Sequence, residues 1–116
     1  MLIEVAIALF IIGAVFGLTI LISILRGRPT PKPVVLFHGL FVTTGLILVL
    51  ITYLTGQPYK LLGISLGLFI IATIGGFTLL FNDLVKKPIP KWLAILHPIV
   101  AASGLVVLVI YALPTL

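Results

Sequence analysis

Apolar residues run almost unbroken along the chain in four stretches, approximately 2–25, 34–54, 61–81 and 92–113. Each stretch is close to the ~20 residues that a helix needs to cross about 30 Å of hydrocarbon. Four transmembrane helices therefore account for nearly the whole chain. Gly and Pro punctuate each break: Arg26–Pro33, Thr55–Lys60 and Asn82–Lys91 form three short links. Links this short predict an all-α transmembrane four-helix bundle with up-down-up-down order, a single domain over residues 1–116. The first helix is expected to be permanent rather than a cleaved leader, because Glu4 stands where a basic n-region belongs and no clear A-x-A site follows.

A shift of 59 residues lays 1–54 over 60–113 without a gap and gives 17 identical pairs in 54 positions. Among them are Gly17 with Gly76, Thr19 with Thr78, Pro29 with Pro88, Lys32 with Lys91, His38 with His97 and Gly45 with Gly104. The reading is two tandem repeats of a helical hairpin, 1–54 and 60–113. Each repeat holds an even number of helices, so both copies enter the membrane in the same sense about an axis along its normal.

Composition sharpens this picture. Hydrophobic residues make up 62% of the chain, charged ones 8%, and mean hydropathy is +1.47, values outside the range of soluble domains. A soluble enzyme is excluded, and with no cysteine so are disulfides, thiolate catalysis, iron–sulfur clusters and covalently attached haem. Six of the seven basic residues (Arg26, Arg28, Lys32, Lys86, Lys87, Lys91) lie in links one and three, against Lys60 alone in link two. The positive-inside rule therefore predicts links one and three in the cytoplasm and both termini outside, with the bilayer itself as the principal partner. The net charge of +5 reads as topology and lipid-headgroup contact; basic patches interleaved with aromatics are missing, and no nucleic-acid partner is expected. Trp92, Tyr53, Tyr59 and Tyr111 stand near helix ends as interfacial anchors. The two acids, Glu4 and Asp83, are expected at the interfaces, which argues against a small proton-coupled drug antiporter.

The chemistry falls to the two histidines. The repeat puts His38 and His97 at equal depth on the second and fourth helices, about 9 Å below the last basic residue of each preceding link. In a square bundle these helices are diagonal, about 11–14 Å apart, so two inward imidazoles leave a gap suited to one metal ion. Gly17 and Gly76, with Gly45 and Gly104 seven residues beyond each histidine, offer space for a flat group. By depth alone, Thr19 and Thr78 are expected to accept an imidazole N–H or pack at the edge of such a group. Lys32 and Lys91, with Arg26 and Arg28, are expected to pair with its acidic substituents.

With His38, His97 and their following glycines, the chain resembles the transmembrane b-type cytochromes, four-helix bundles whose inward histidines clamp haem b. It also looks like small bacterial four-helix membrane proteins, and a bacterial inner membrane is the expected location. The resemblance implies one haem b per chain, axially ligated by His38 and His97. It also implies one-electron transfer, with a quinone, a soluble redox protein or superoxide as the exchanging partner. Two further readings remain open: a non-enzymatic accessory membrane module whose histidines pack or bind a metal, and a small proton-coupled carrier. Oligomerisation is compatible with all three.

Overall fold

The computed structural model describes residues 1–57 and 59–116 and contains four long helices: α1 (Leu2–Leu25), α2 (Lys32–Thr55), α3 (Lys60–Leu84) and α4 (Lys91–Ala112). A short 3-10 turn, Leu113–Thr115, follows α4. Pro58, part of the second link read from the sequence, lies outside the described residues. All four helices are long and apolar enough to cross a membrane, and the chain is an integral membrane protein by that measure. The bundle measures 43 × 20 × 19 Å. Helices of about 24 residues at 1.5 Å each account for about 36 Å of that length, and the links and termini for the rest.

Helix limits follow local chemistry. Pro33 sits in the first turn of α2, where its missing N–H costs nothing and its fixed φ suits the helix, so α2 starts two residues before the apolar run. The α1 end closes with Gly27 in the left-handed region (φ 66°), Gly27 N–H donating to Ile24 O (3.1 Å) and Arg28 N–H to Ser23 O (2.9 Å). The α3 end closes in the same way, with Lys86 (φ 59°) donating to Asp83 O (3.2 Å) and Lys87 to Asn82 O (2.9 Å). This end adds Asn82, Asp83 and Leu84 to a helix whose apolar run stops at residue 81, so Asp83 belongs to the last turn of α3 and not to a link.

α1 packs along α2 and α3 along α4 as antiparallel hairpins, while the α1–α4 and α2–α3 seams close the ring more loosely. The diagonals are therefore α1/α3 and α2/α4. The two halves of the bundle differ in filling. The buried apolar cluster, including Ile7, Phe10, Val49, Leu66, Phe69 and Leu108, occupies only the half carrying the chain termini and the second link. In the other half, which carries six of the seven basic residues and is called the basic end below, the helices separate around a cavity. Phe10 and Phe69 stack across the α1/α3 diagonal, ring centroids 4.2 Å apart, and divide the two halves. Outward faces carry large apolar side chains such as Ile11, Val15, Leu18, Ile71 and Ile74, all exposed, as a lipid-facing surface does.

Candidate functional site

The cavity has a volume of about 510 Å³, within the ~300–1,000 Å³ span typical of small-molecule and cofactor sites. Its floor is Phe10 and Phe69, its walls include Gly17, Gly76, His38 and His97, and Thr30 and Asp83 line it at the basic end. The lining is mainly apolar, from side chains such as Leu21, Leu46, Leu80 and Leu105.

Both histidines are half-buried and held identically. The Nδ1–H of His38 donates to Gly13 O at 2.8 Å, and that of His97 donates to Ala72 O at 2.8 Å. A carbonyl only accepts, so in each neutral ring the proton sits on Nδ1 and Nε2 keeps a free lone pair. Anchoring one ring nitrogen so that the other can ligate is the usual support for a metal-binding histidine. Each ring also lies on the backbone of its hairpin partner: a Cβ built on Gly17 would come 3.0 Å from His38 Cε1, and one on Gly76 would come 3.0 Å from His97 Cε1. A side chain at either position would press on the imidazole, which lies where a Cβ would project.

Across the α2/α4 diagonal the two imidazole centroids are 6.3 Å apart, their planes at 80°. Two metal–nitrogen bonds of about 2.0 Å, with about 1.1 Å from each nitrogen to its ring centre, span roughly 6.2 Å. The observed centroid separation is close to that span. Among the described residues no group of three or more His, Asp or Glu side chains converges.

Several sequence-derived site residues take other places. Thr19 and Thr78 are not partners of the imidazoles: both are exposed, and their hydroxyls donate to Val15 O (3.2 Å) and Ile74 O (3.0 Å) of their own helices. Each lies two residues from the cavity-facing glycine, hence about 200° round the helix, on the opposite face. Gly45 and Gly104 are buried, but they seat the floor rather than line the cavity. A Cβ on Gly45 would stand 3.1 Å from the Phe10 ring, and one on Gly104 would stand 3.2 Å from the Phe69 ring. Of the two lysines, Lys32 sits beside the mouth and Lys91 is exposed at the start of α4, outside the lining.

The mouth holds a cluster that spacing did not disclose. The Asp83 carboxylate accepts from Thr30 Oγ1 at 2.6 Å and from Lys32 Nζ at 2.8 Å, joining the first link to α3. Asp83 shows 15% of its side chain to solvent, and Thr30 is buried. At the positions 59 residues away stand Ile24 and Ile89, which line the same cavity, so its mouth is polar on one side and apolar on the other. The mismatch of Asp83 with Ile24 and Thr30 with Ile89 was visible in the repeat comparison; that those two polar residues meet was not.

Fold and site together define an integral membrane four-helix bundle with a histidine-walled cavity in its basic half. No family model, curated protein or solved structure matches the chain.

Proposed function

We propose that this protein is a single-haem membrane cytochrome of b type, with His38 and His97 as axial ligands and one-electron transfer as its activity. The observation that carries the reading is the pair of Nδ1-anchored imidazoles with free Nε2 atoms, centroids 6.3 Å apart, in the wall of an apolar cavity. A haem brings four equatorial nitrogens, so two protein ligands complete it, and when bound it supplies a reversible one-electron couple.

The chain's own residues do the rest. Gly13 and Ala72 carbonyls fix the imidazole tautomer, and Gly17 and Gly76 admit the rings. Phe10 and Phe69 close the cavity toward the packed half, and Lys32 offers a cation at the mouth for an acidic edge. A haem held by both His38 and His97 would have no vacant position for oxygen chemistry and would supply one-electron exchange with a quinone, a soluble redox protein or superoxide. The basic end faces the cytoplasm of a bacterial inner membrane in this reading, both termini lying outside.

A second reading, an accessory membrane module without redox function, draws on the same Nδ1 bonds, which stitch α1 to α2 and α3 to α4. An absorption spectrum of detergent-purified protein, before and after dithionite and after hemin addition, separates the two. A low-spin b-type spectrum at one haem per chain supports the cytochrome. A colourless protein that takes up no hemin leaves the histidines as packing residues.

A further inference from the structure

On the surface outside the cavity mouth lies a depression of about 600 Å³, bounded by Lys32, Lys86, Lys87, Asp83 and the prolines Pro29 and Pro88. Three lysines and one aspartate border it, and the Asp83 carboxylate is already engaged by Lys32 and Thr30, so the rim carries an excess of positive charge. The backbone points to a purpose for the excess. Lys86 adopts φ 59°, a left-handed conformation that disfavours any side chain, whereas the equivalent turn of the first repeat has Gly27 at φ 66°. A cation at the end of α3 is favoured by the helix dipole, but Lys87 supplies that without backbone strain. A strained lysine in place of glycine marks a site at which its side chain is used.

Lys87 is placed at the bilayer margin: its ammonium lies 5.8 Å from the centroid of the Phe81 ring, which is 58% exposed on the apolar flank of α3. The first-repeat turn lacks this arrangement, with Arg26, Gly27 and Arg28 where the second has Val85, Lys86 and Lys87. We infer that the Lys32–Lys86–Lys87 depression binds a phosphate-bearing anion, met at this depth as the headgroup of an anionic phospholipid. The inference shares Lys32 with the proposed function, but its test rests on Lys86 and Lys87, which border the depression and do not line the cavity.

The test uses purified full-length protein in detergent, with one-to-one adducts read by native mass spectrometry and binding by thermal shift. Phosphatidylglycerol, phosphatidylcholine and inorganic phosphate are the probes. Phosphatidylglycerol should bind and phosphatidylcholine should not. The double variant Lys86→Gly, Lys87→Gln should weaken binding roughly fivefold for each lysine removed. It should also fold at least as well as the parent, because glycine relieves the strained φ. The control Arg26→Gln, Arg28→Gln, which alters the other turn, should bind as the parent does. A shift with inorganic phosphate and none with phosphatidylglycerol would keep the phosphate site but place its source in solution. Equal binding of phosphatidylcholine, unchanged binding by the lysine variant, or equal loss in the arginine control would overturn the inference.

Discussion

Phe10 and Phe69 stack at 4.2 Å with 13° between their planes, and each ring rests on a glycine of its own hairpin partner, Gly45 or Gly104. The two residues are 59 positions apart, as are His38 and His97, so two like-with-like pairs lie on the bundle axis, one above the other. The phenyl pair ends the packed half and the imidazole pair begins the hollow one. Everything proposed for the cavity depends on that division.

Truncating the floor should therefore cost stability and depth together. Phe69→Ala removes a side chain only 5% exposed and leaves Phe10 without its stacking partner. The expected loss is about 3–5 kcal/mol, from lost packing and the void left behind. Unfolding in a mixed detergent series measures it, and a loss below about 1 kcal/mol would show that the helices close over the gap.

On the proposed haem ligation, replacing either histidine should abolish the bis-histidine spectrum while the helices survive. In His97→Ala the hairpin loses one hydrogen bond to Ala72 O, worth about 1 kcal/mol, which four long apolar helices tolerate. Circular dichroism should be unchanged and the Soret band lost or converted to a high-spin form. An unaltered low-spin band in His97→Ala or His38→Ala would rule out axial ligation by that residue.

The glycines and the threonines make opposite predictions. Gly17→Ala or Gly76→Ala puts a methyl group 3.0 Å from an imidazole carbon and should tilt the ring, weakening hemin affinity about 10–100-fold. Thr19→Val and Thr78→Val change exposed positions on the far faces of α1 and α3 and should leave affinity within about twofold. Hemin titration of apoprotein reads all four; a threonine effect as large as the glycine effect would contradict the observed orientation.

At the mouth, the polar trio should act as a unit. Asp83→Ile alone leaves the buried Thr30 hydroxyl without its acceptor and removes the counter-ion of Lys32, whose ammonium keeps only its bond to Thr30 Oγ1 (2.6 Å), and should destabilise the fold by about 1–3 kcal/mol. Adding Thr30→Ile, which reproduces the Ile24 and Ile89 side of the cavity, should recover most of that loss, because an apolar pair of matching shape replaces a polar one. Thermal unfolding of the single and double variants forms the test. Additive losses would mean that the cluster contributes nothing beyond its separate parts.

Much of this fold was legible in the residues. A helix in lipid must satisfy every backbone group internally, so four apolar runs of the right length left few alternatives for the architecture. The 59-residue offset predicted equal depth for His38 and His97, whose rings lie 6.3 Å apart. Depth is not direction, however: Thr19 and Thr78 were placed by height alone, and 100° of rotation per residue turns them away from the glycines two positions earlier. Gly45 and Gly104 do point inward, but beneath phenyl rings whose meeting across the diagonal no spacing rule announces. Thr30, Lys32 and Asp83 come together from positions more than 50 residues apart in the chain, in a trio that the other repeat lacks.

The sequence by itself determined how many helices there are, where they turn, which end is basic and that two histidines share one level. Bilayer thickness and the cost of unpaired backbone groups are strong enough to do that without tertiary detail. Only the tertiary structure decided which faces meet, that one half packs solid while the other encloses a cavity, and that Asp83 closes its mouth. The physical reason is that lipid tails and a protein interior are equally apolar. Helices that are apolar all round carry no hydrophobic contrast to say which side turns inward, and that choice rests on side-chain shape and on a few hydrogen bonds between helices.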